Sequence, residues 1–253
     1  MFPYIDFFGN KMGMFPLCAG IALLAITVLI RYQLKSELQR PDYENKVMIA
    51  IPFSMLAGVV TSYLSDVLFR GGWTALTNPR GFGFTFYGWL IGCTVFYWIY
   101  GKLFQINPLI LLNLFLPTFS LAQAIGRIGC FCGGCCYGFP SAFLGIKFPP
   151  GSLPYQKYGA TPLIPVQLIE SSYLFLLFLL LFLKIPFNRR ASLYLILMPA
   201  GRFLLEFLRG DNRGTICGFH WLSPSQILSF CFFAIGIFLF VWNNPAKEHI
   251  KND

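Results

Sequence analysis

Seven apolar runs, each of helical length, recur along the chain and are separated by shorter polar or glycine-rich stretches. They cover residues 15–30, 47–69, 84–100, 108–128, 166–183, 192–208 and 221–242. A hydrocarbon core about 30 Å thick is crossed by about 20 residues of α-helix, so these runs predict seven transmembrane helices in one bundle. The fifth is the clearest, because its SSYLFLLFLLLFL segment contains no charge. Pro199 within the sixth predicts a kink. The fourth run breaks at Gly129 into a stretch of Gly, Cys and Pro reaching Pro165, which predicts a long loop. An odd number of crossings sets the two termini on opposite sides.

Composition narrows the class. Hydrophobic residues make up 56% of the 253 and charged residues 11%, against about 45–50% and about 25% in soluble domains. There is too little polar surface for a water-soluble enzyme, and the pattern predicts an all-α integral membrane protein forming one domain over 1–253. The net charge is +9, from 19 Lys and Arg against 10 Asp and Glu. Its basic residues are spread over many loops, which suggests anionic lipid as the partner and argues against nucleic acid. Residues 1–12 carry Asp6 and Lys11 but neither a basic n-region nor a small-residue cleavage site, so no removable signal peptide is expected.

Ten basic residues, from Arg31, Lys35 and Arg40 through Lys102 and Arg190 to Lys251, fall on one predicted side and nine on the other. Several of the nine sit at span ends among Glu, Gly and Cys, where they look like site residues. Leaving these out predicts a cytoplasmic C-terminus and an outside N-terminus.

Ionisable residues inside a span cost about 2.5–3.5 kcal/mol each and need a partner or a task. Asp66, Arg127, Glu170, Arg202, Glu206 and Arg209 are of this kind. The i, i+4, i+7 spacing of Arg202, Glu206 and Arg209 predicts one helix face, and the i, i+3 spacing of Gln167 and Glu170 another. A structural ion network is the plain explanation. Three Arg against two Glu, however, leave surplus positive charge, as a lipid phosphate would require.

Residues 126–138 read GRIGCFCGGCCYG, with five glycines in thirteen residues. Gly126, Gly129 and Gly134 would let the backbone turn and approach a ligand, and exposed N–H groups of such a turn bind anions. Cys130, Cys132, Cys135 and Cys136 admit three readings. They are small soft residues lining a turn, or a redox pair such as Cys132 with Cys135 in C-x-x-C spacing, or a thiolate metal site. Zinc usually draws on two separated pairs, and one compact run argues against it. No metal is therefore assigned, and no cofactor motif is read.

GRIGCFCGGCCYG also resembles the signature of the prolipoprotein diacylglyceryl transferases, roughly G-R-x-G-N-F-x-N-x-E-x-x-G. FTFYGWLIG at 84–92, PVQLIE at 165–170, GRFLLEFLRGD at 201–211 and SPSQILS at 223–229 are similar to four further stretches of that family, in the same order. The resemblance covers about residues 50–240. It implies an enzyme of the bacterial inner membrane that moves diacylglyceryl from phosphatidylglycerol to the lipobox cysteine of a prolipoprotein signal peptide, releasing glycerol phosphate. It carries over Arg127 and Arg202 as essential arginines, with Glu206, Arg209, Gln167 and Glu170 retained. Tyr87 stands where the family has His, Cys130 and Gly133 where it has Asn, and Cys135 where it has Glu.

Phenol has a pKa of about 10 and imidazole about 6.5, so Tyr87 is a poor base. It is expected to hydrogen-bond or position a substrate, while His220, before the seventh run, is an alternative base. The departures leave two rivals open: a phospholipid-dependent transferase with another acceptor, and a membrane thiol oxidoreductase using Cys132 and Cys135. A transporter is a weaker third.

Overall fold

A computed structural model describes residues 4–7, 10–68, 85–210 and 222–242. His220, Trp221, Asp211 and Lys251, which the sequence reading used, lie outside the described residues.

A short antiparallel hairpin, β1 (Tyr4–Phe7) and β2 (Asn10–Gly13), precedes the helices. The described helices are α1 (Met14–Ser36), α2 (Glu44–Asp66), α3 (Phe86–Leu103), α4 (Pro108–Gly133), α5 (Leu153–Tyr158), α6 (Val166–Leu183), α7 (Arg190–Glu206) and α8 (Pro224–Trp242). All seven apolar runs thus contain a helix, with α5 as a short addition in the loop. Among the described residues, five helices are long and apolar enough to cross a membrane: α1, α2, α4, α6 and α8. The expectation of seven crossings is met for these five. α3 and α7 fall below that standard, α7 because it is short and carries Arg190, Arg202 and Glu206.

The surface of the bundle is apolar and its interior holds the polar groups. Leu24, Leu56, Trp98 and Phe230 are exposed on α1, α2, α3 and α8, whereas Gln33, Asn113, Gln167 and Gln226 are buried. In lipid this is the stable arrangement, because tails solvate Leu and Phe as well as a protein core would, and polar groups find partners only between helices.

α4 is the hub, packed against α1, α3, α6 and α7. Its start is set by Pro108 at the first turn and by Asn107, whose side chain accepts the Leu109 N–H at 3.0 Å. Pro117 cannot donate a helical hydrogen bond to the Asn113 carbonyl, yet the helix continues through it, packed between its neighbours. Thr118 donates to the Phe115 carbonyl at 2.8 Å. α7 likewise runs on through Pro199.

Small residues bring helices together. Cβ atoms at Gly88 and Gly92 would meet the α2 backbone at 2.7 and 2.6 Å, and one at Gly236 would meet the α7 backbone at 2.7 Å. α2–α3 and α7–α8 are therefore close pairs. α4 and α6 are pinned in register by two hydrogen bonds, Ser120 to the Leu174 carbonyl and Ser171 to the Ala124 carbonyl, both 2.8 Å. That register decides what lies one turn further along.

Two expectations about boundaries change. The helix predicted to break at Gly129 continues to Gly133. Gly129 is buried where α1 crosses, and a Cβ there would sit 3.1 Å from Cys18 and 3.3 Å from Phe15. Tertiary contact compensates the weak helix propensity of glycine. α7 ends at Glu206, so Arg209 is not on its face. Successive i→i−3 hydrogen bonds from Phe207, Leu208 and Arg209 tighten the last turn, and Arg209 pairs in antiparallel fashion with Gly138.

Candidate functional site

One helical turn beyond the Ser171–Ala124 bond, Arg127 of α4 faces Glu170 of α6. Arg127 Nη2 lies 3.0 Å from Glu170 Oε1, and Arg202 Nη1 of α7 lies 2.9 Å from Glu170 Oε2. Arg202 Nη2 reaches Glu206 Oε2 at 3.0 Å. Two guanidiniums from different helices therefore share one carboxylate. Glu170 and Arg202 side chains are each 4% exposed, while Arg127 keeps 12%. Arg202 Nε has no hydrogen-bond partner among the described residues. Arg209 is buried close enough to Glu170 and Cys136 to interact electrostatically with both. The surplus of Arg over Glu expected from the sequence is thus concentrated where α4, α6 and α7 meet.

The network continues into α8. Glu206 Oε1 accepts the Ser223 hydroxyl at 3.0 Å. Ser223 and Gln226 exchange hydrogen bonds, Gln226 N–H to Ser223 Oγ at 3.2 Å and Ser223 N–H to Gln226 Oε1 at 2.9 Å. Together with Pro224 this makes SPSQ a capping box, which fixes the start of α8 beside Glu206. Ser223, Gln226 and Ser229 were not singled out from the sequence, although S-x-x-Q before an apolar run was the available signal.

Gln167 shares a face with Glu170, as its spacing predicted, and is 1% exposed. Its Nε2 donates to the Cys135 carbonyl at 2.6 Å and its Oε1 is without a partner among the described residues. Tyr87 is buried and faces α8 instead of the ion network. Its hydroxyl is 2.5 Å from Ser229 Oγ, and its ring stacks on Phe232. Ser229 donates its own proton to the Ser225 carbonyl at 2.7 Å, so the Tyr87 proton is the one shared with Ser229. Arg202, Glu170 and Glu206 lie within electrostatic reach of the phenol.

The glycine-rich segment differs from an anion-binding turn. Gly134, at φ 72°, closes α4: its N–H bonds to the Phe131 carbonyl and the Cys135 N–H to the Cys130 carbonyl, both at 3.2 Å. This is a Schellman motif, and it uses the N–H groups that a bound anion would have needed. The Gly138 N–H is also engaged, by the Ile164 carbonyl at 2.9 Å. Gly126, in contrast, has open space within 4 Å where a Cβ would stand.

The four clustered cysteines separate into three and one. Sγ atoms of Cys130, Cys135 and Cys136 lie within 4.8 Å of one another, and Cys132 is not part of this group. It interacts electrostatically with Cys18 on α1. The fold thus groups Cys135 with Cys130 and Cys136 across the chain reversal at Gly134, while Cys132 stands in the last turn of α4 outside that group. The described cysteines are free thiols. In the loop beyond α4, hydrogen bonds from Cys130 and Cys135, then the charges of Arg209 and Arg127, hold the Cys136 thiol well below its ordinary pKa in spite of burial.

Comparison with known proteins agrees with this architecture. The profile described as prolipoprotein diacylglyceryl transferase matches residues 4–242. A phosphatidylglycerol–prolipoprotein diacylglyceryl transferase of Clostridium tetani is 33% identical over 257 residues, covering 96% of this chain and 98% of that protein. A second, from Clostridium perfringens, is 32% identical, with 93% and 92% covered. One from Chlorobaculum tepidum is 30% identical, with 90% and 85% covered. The chain is therefore a multi-pass membrane protein that belongs to the prolipoprotein diacylglyceryl transferase family.

Proposed function

We propose that this protein transfers the diacylglyceryl group of phosphatidylglycerol to the lipobox cysteine thiol of a prolipoprotein, with 1–253 acting as a single catalytic unit. Its relatives carry that activity in their names. The observation that most directly supports the chemistry is the pair Arg127 and Arg202 on one carboxylate, with Arg202 Nε uncommitted among the described residues. In the reaction the cysteine sulfur bonds to the glyceryl carbon, the carbon–oxygen bond to phosphate breaks, and the phosphate oxygen keeps the electron pair as glycerol phosphate leaves. Guanidiniums held in advance by Glu170 and Glu206 bind the phosphate in bidentate fashion and neutralise the charge that builds on it.

Tyr87 acts as a positioning residue through Ser229, and no protein base is required of it. A thiol of pKa about 8.5 is partly ionised near neutrality, and adjacent arginines favour the thiolate. Gln167 and Arg209 hold the wall of the phosphate site, and Gly126 leaves room beside Arg127. The site faces the outer side of the bacterial inner membrane, with the N-terminus outside and the C-terminus in the cytoplasm. The cluster of Arg31, Lys35, Arg40 and Lys46 around the α1–α2 connection supports that orientation.

The test is lipid transfer by the purified protein in phosphatidylglycerol vesicles supplied with a lipobox peptide. Mass spectrometry should show the diacylglyceryl adduct on the peptide cysteine, and vesicles of phosphatidylethanolamine should give none. Consumption of phosphatidylglycerol without the adduct would favour another acceptor. Full activity of Arg127→Ala or of Arg202→Ala would remove the substituted arginine from the mechanism.

A further inference from the structure

The chain reversal after α4 assembles a feature that the proposed transfer reaction does not use. Cys130 is in the last turn of α4, Cys135 follows the left-handed Gly134, and Cys136 is itself left-handed at φ 64°. That conformation is uncommon for a residue with a side chain and is held by the fold around it. On one side the Gln167 carboxamide fixes the Cys135 carbonyl, and on the other the Gly138 N–H is tied to Ile164. The outcome is a triangle of three thiol sulfurs, none separated from another by more than 4.8 Å.

We propose that Cys130, Cys135 and Cys136 form a three-thiolate binding site for a thiophilic metal ion, Cu(I). Sulfurs around one ion at metal–sulfur bonds of about 2.3 Å stand about 4 Å apart, so the triangle needs to contract by less than about an ångström. Soft thiolates select Cu(I) or Zn(II) over hard cations. Zn(II) calls for a fourth donor, whereas Cu(I) is satisfied by three sulfurs. Three thiolates on a monovalent ion leave surplus negative charge, and Arg127 and Arg209 stand where they offset it. Binding releases the protons still held by the thiols, so affinity rises with pH. A disulfide between any two of the three would abolish the site.

The experiment is titration of the reduced, detergent-purified protein with Cu(I) under anaerobic conditions, against a Cu(I) chelator as competitor. One equivalent per chain is expected, with three sulfur neighbours at about 2.3 Å in X-ray absorption. Cys130→Ser, Cys135→Ser and Cys136→Ser should each weaken binding at least tenfold, while Cys18→Ser and Cys132→Ser leave it unchanged. A measurement on the wild type alone covers variants that do not fold: Cu(I) should protect Cys130, Cys135 and Cys136 from alkylation while Cys132 stays reactive. No stoichiometric uptake, equal loss in Cys132→Ser, tighter binding of Zn(II) than of Cu(I), or a disulfide within the triangle of the unreduced protein would each overturn the proposal.

Discussion

α7 carries a buried arginine at each end, and the two are used differently. Their twelve-residue separation is about 18 Å of helix. At the start, all three nitrogens of the Arg190 guanidinium are engaged. Nε donates to the Ile185 carbonyl at 3.1 Å, Nη2 to the Phe182 carbonyl at 3.1 Å, and Nη1 to Gln33 at 3.0 Å and to Glu37 at 2.8 Å. Asn113 continues this end by accepting the Ala191 N–H at 2.7 Å. This arginine ties the ends of α1, α6 and α7 together and leaves none of its three nitrogens without a partner. At the other end Arg202 shares Glu170 with Arg127 and keeps Nε uncommitted among the described residues. A buried arginine with every nitrogen paired serves as a structural joint, whereas one with an unpaired nitrogen beside a second arginine fits the phosphate site proposed above. The difference also corrects the topology count, in which Arg190 was treated as a loop residue; it is 5% exposed and ion-paired.

The strongest way to break this contrast is to remove the joint. Arg190→Met leaves the buried Gln33 side-chain oxygen and the Ile185 and Phe182 carbonyls without their donor, at about 1–3 kcal/mol for each group left buried and unpaired, read as a reduced melting temperature in detergent. Activity per folded molecule should be retained. If transfer is lost while the melting temperature holds, Arg190 is no mere joint. Arg202→Lys keeps the charge and loses the planar fork, so it should reduce transfer about 10²–10³-fold with the melting temperature nearly unchanged. A matching fall in both quantities would make the two ends equivalent.

Smaller effects sharpen the boundary of the site. Ser223→Ala removes the cap of α8 and the hydroxyl that holds Glu206, at about 0.5–2 kcal/mol. Thermal melting should show that loss, with a modest decline in transfer. Tyr87→Phe deletes one hydrogen bond, worth about 0.5–1.5 kcal/mol, and should slow transfer less than tenfold. A hundredfold loss in Tyr87→Phe would instead give the phenol a direct part in the chemistry. Complementation of a transferase-depleted host by the wild type but not only by Tyr87→His would agree with the smaller role.

The helical content was legible because apolar runs of this length have few alternatives in a membrane. Spacing also placed Gln167 and Glu170 on one face, since both lie within a regular helix. Spacing misplaced Arg209, because the i+7 argument assumes a helix that in fact ends at Glu206 and turns. The cysteines meet the same limit. C-x-x-C proximity is a local inference, and the αL reversal at Gly134 changed which sulfurs meet. The role of Gly129 was invisible because its neighbour, α1, is more than a hundred residues away in sequence.

By itself, the sequence determined that this is a helical membrane protein of its family, with a small charged minority that had to be paired, because hydrocarbon does not tolerate unpartnered charge. Only the tertiary structure decided which charges pair. The register of α4 on α6, set by Ser120 and Ser171, brings Arg127 to Glu170. The close approach of α7 and α8 at Gly236 accompanies the capping box that holds Glu206. Such contacts depend on the relative rotation and depth of separate helices, which no local pattern along the chain encodes.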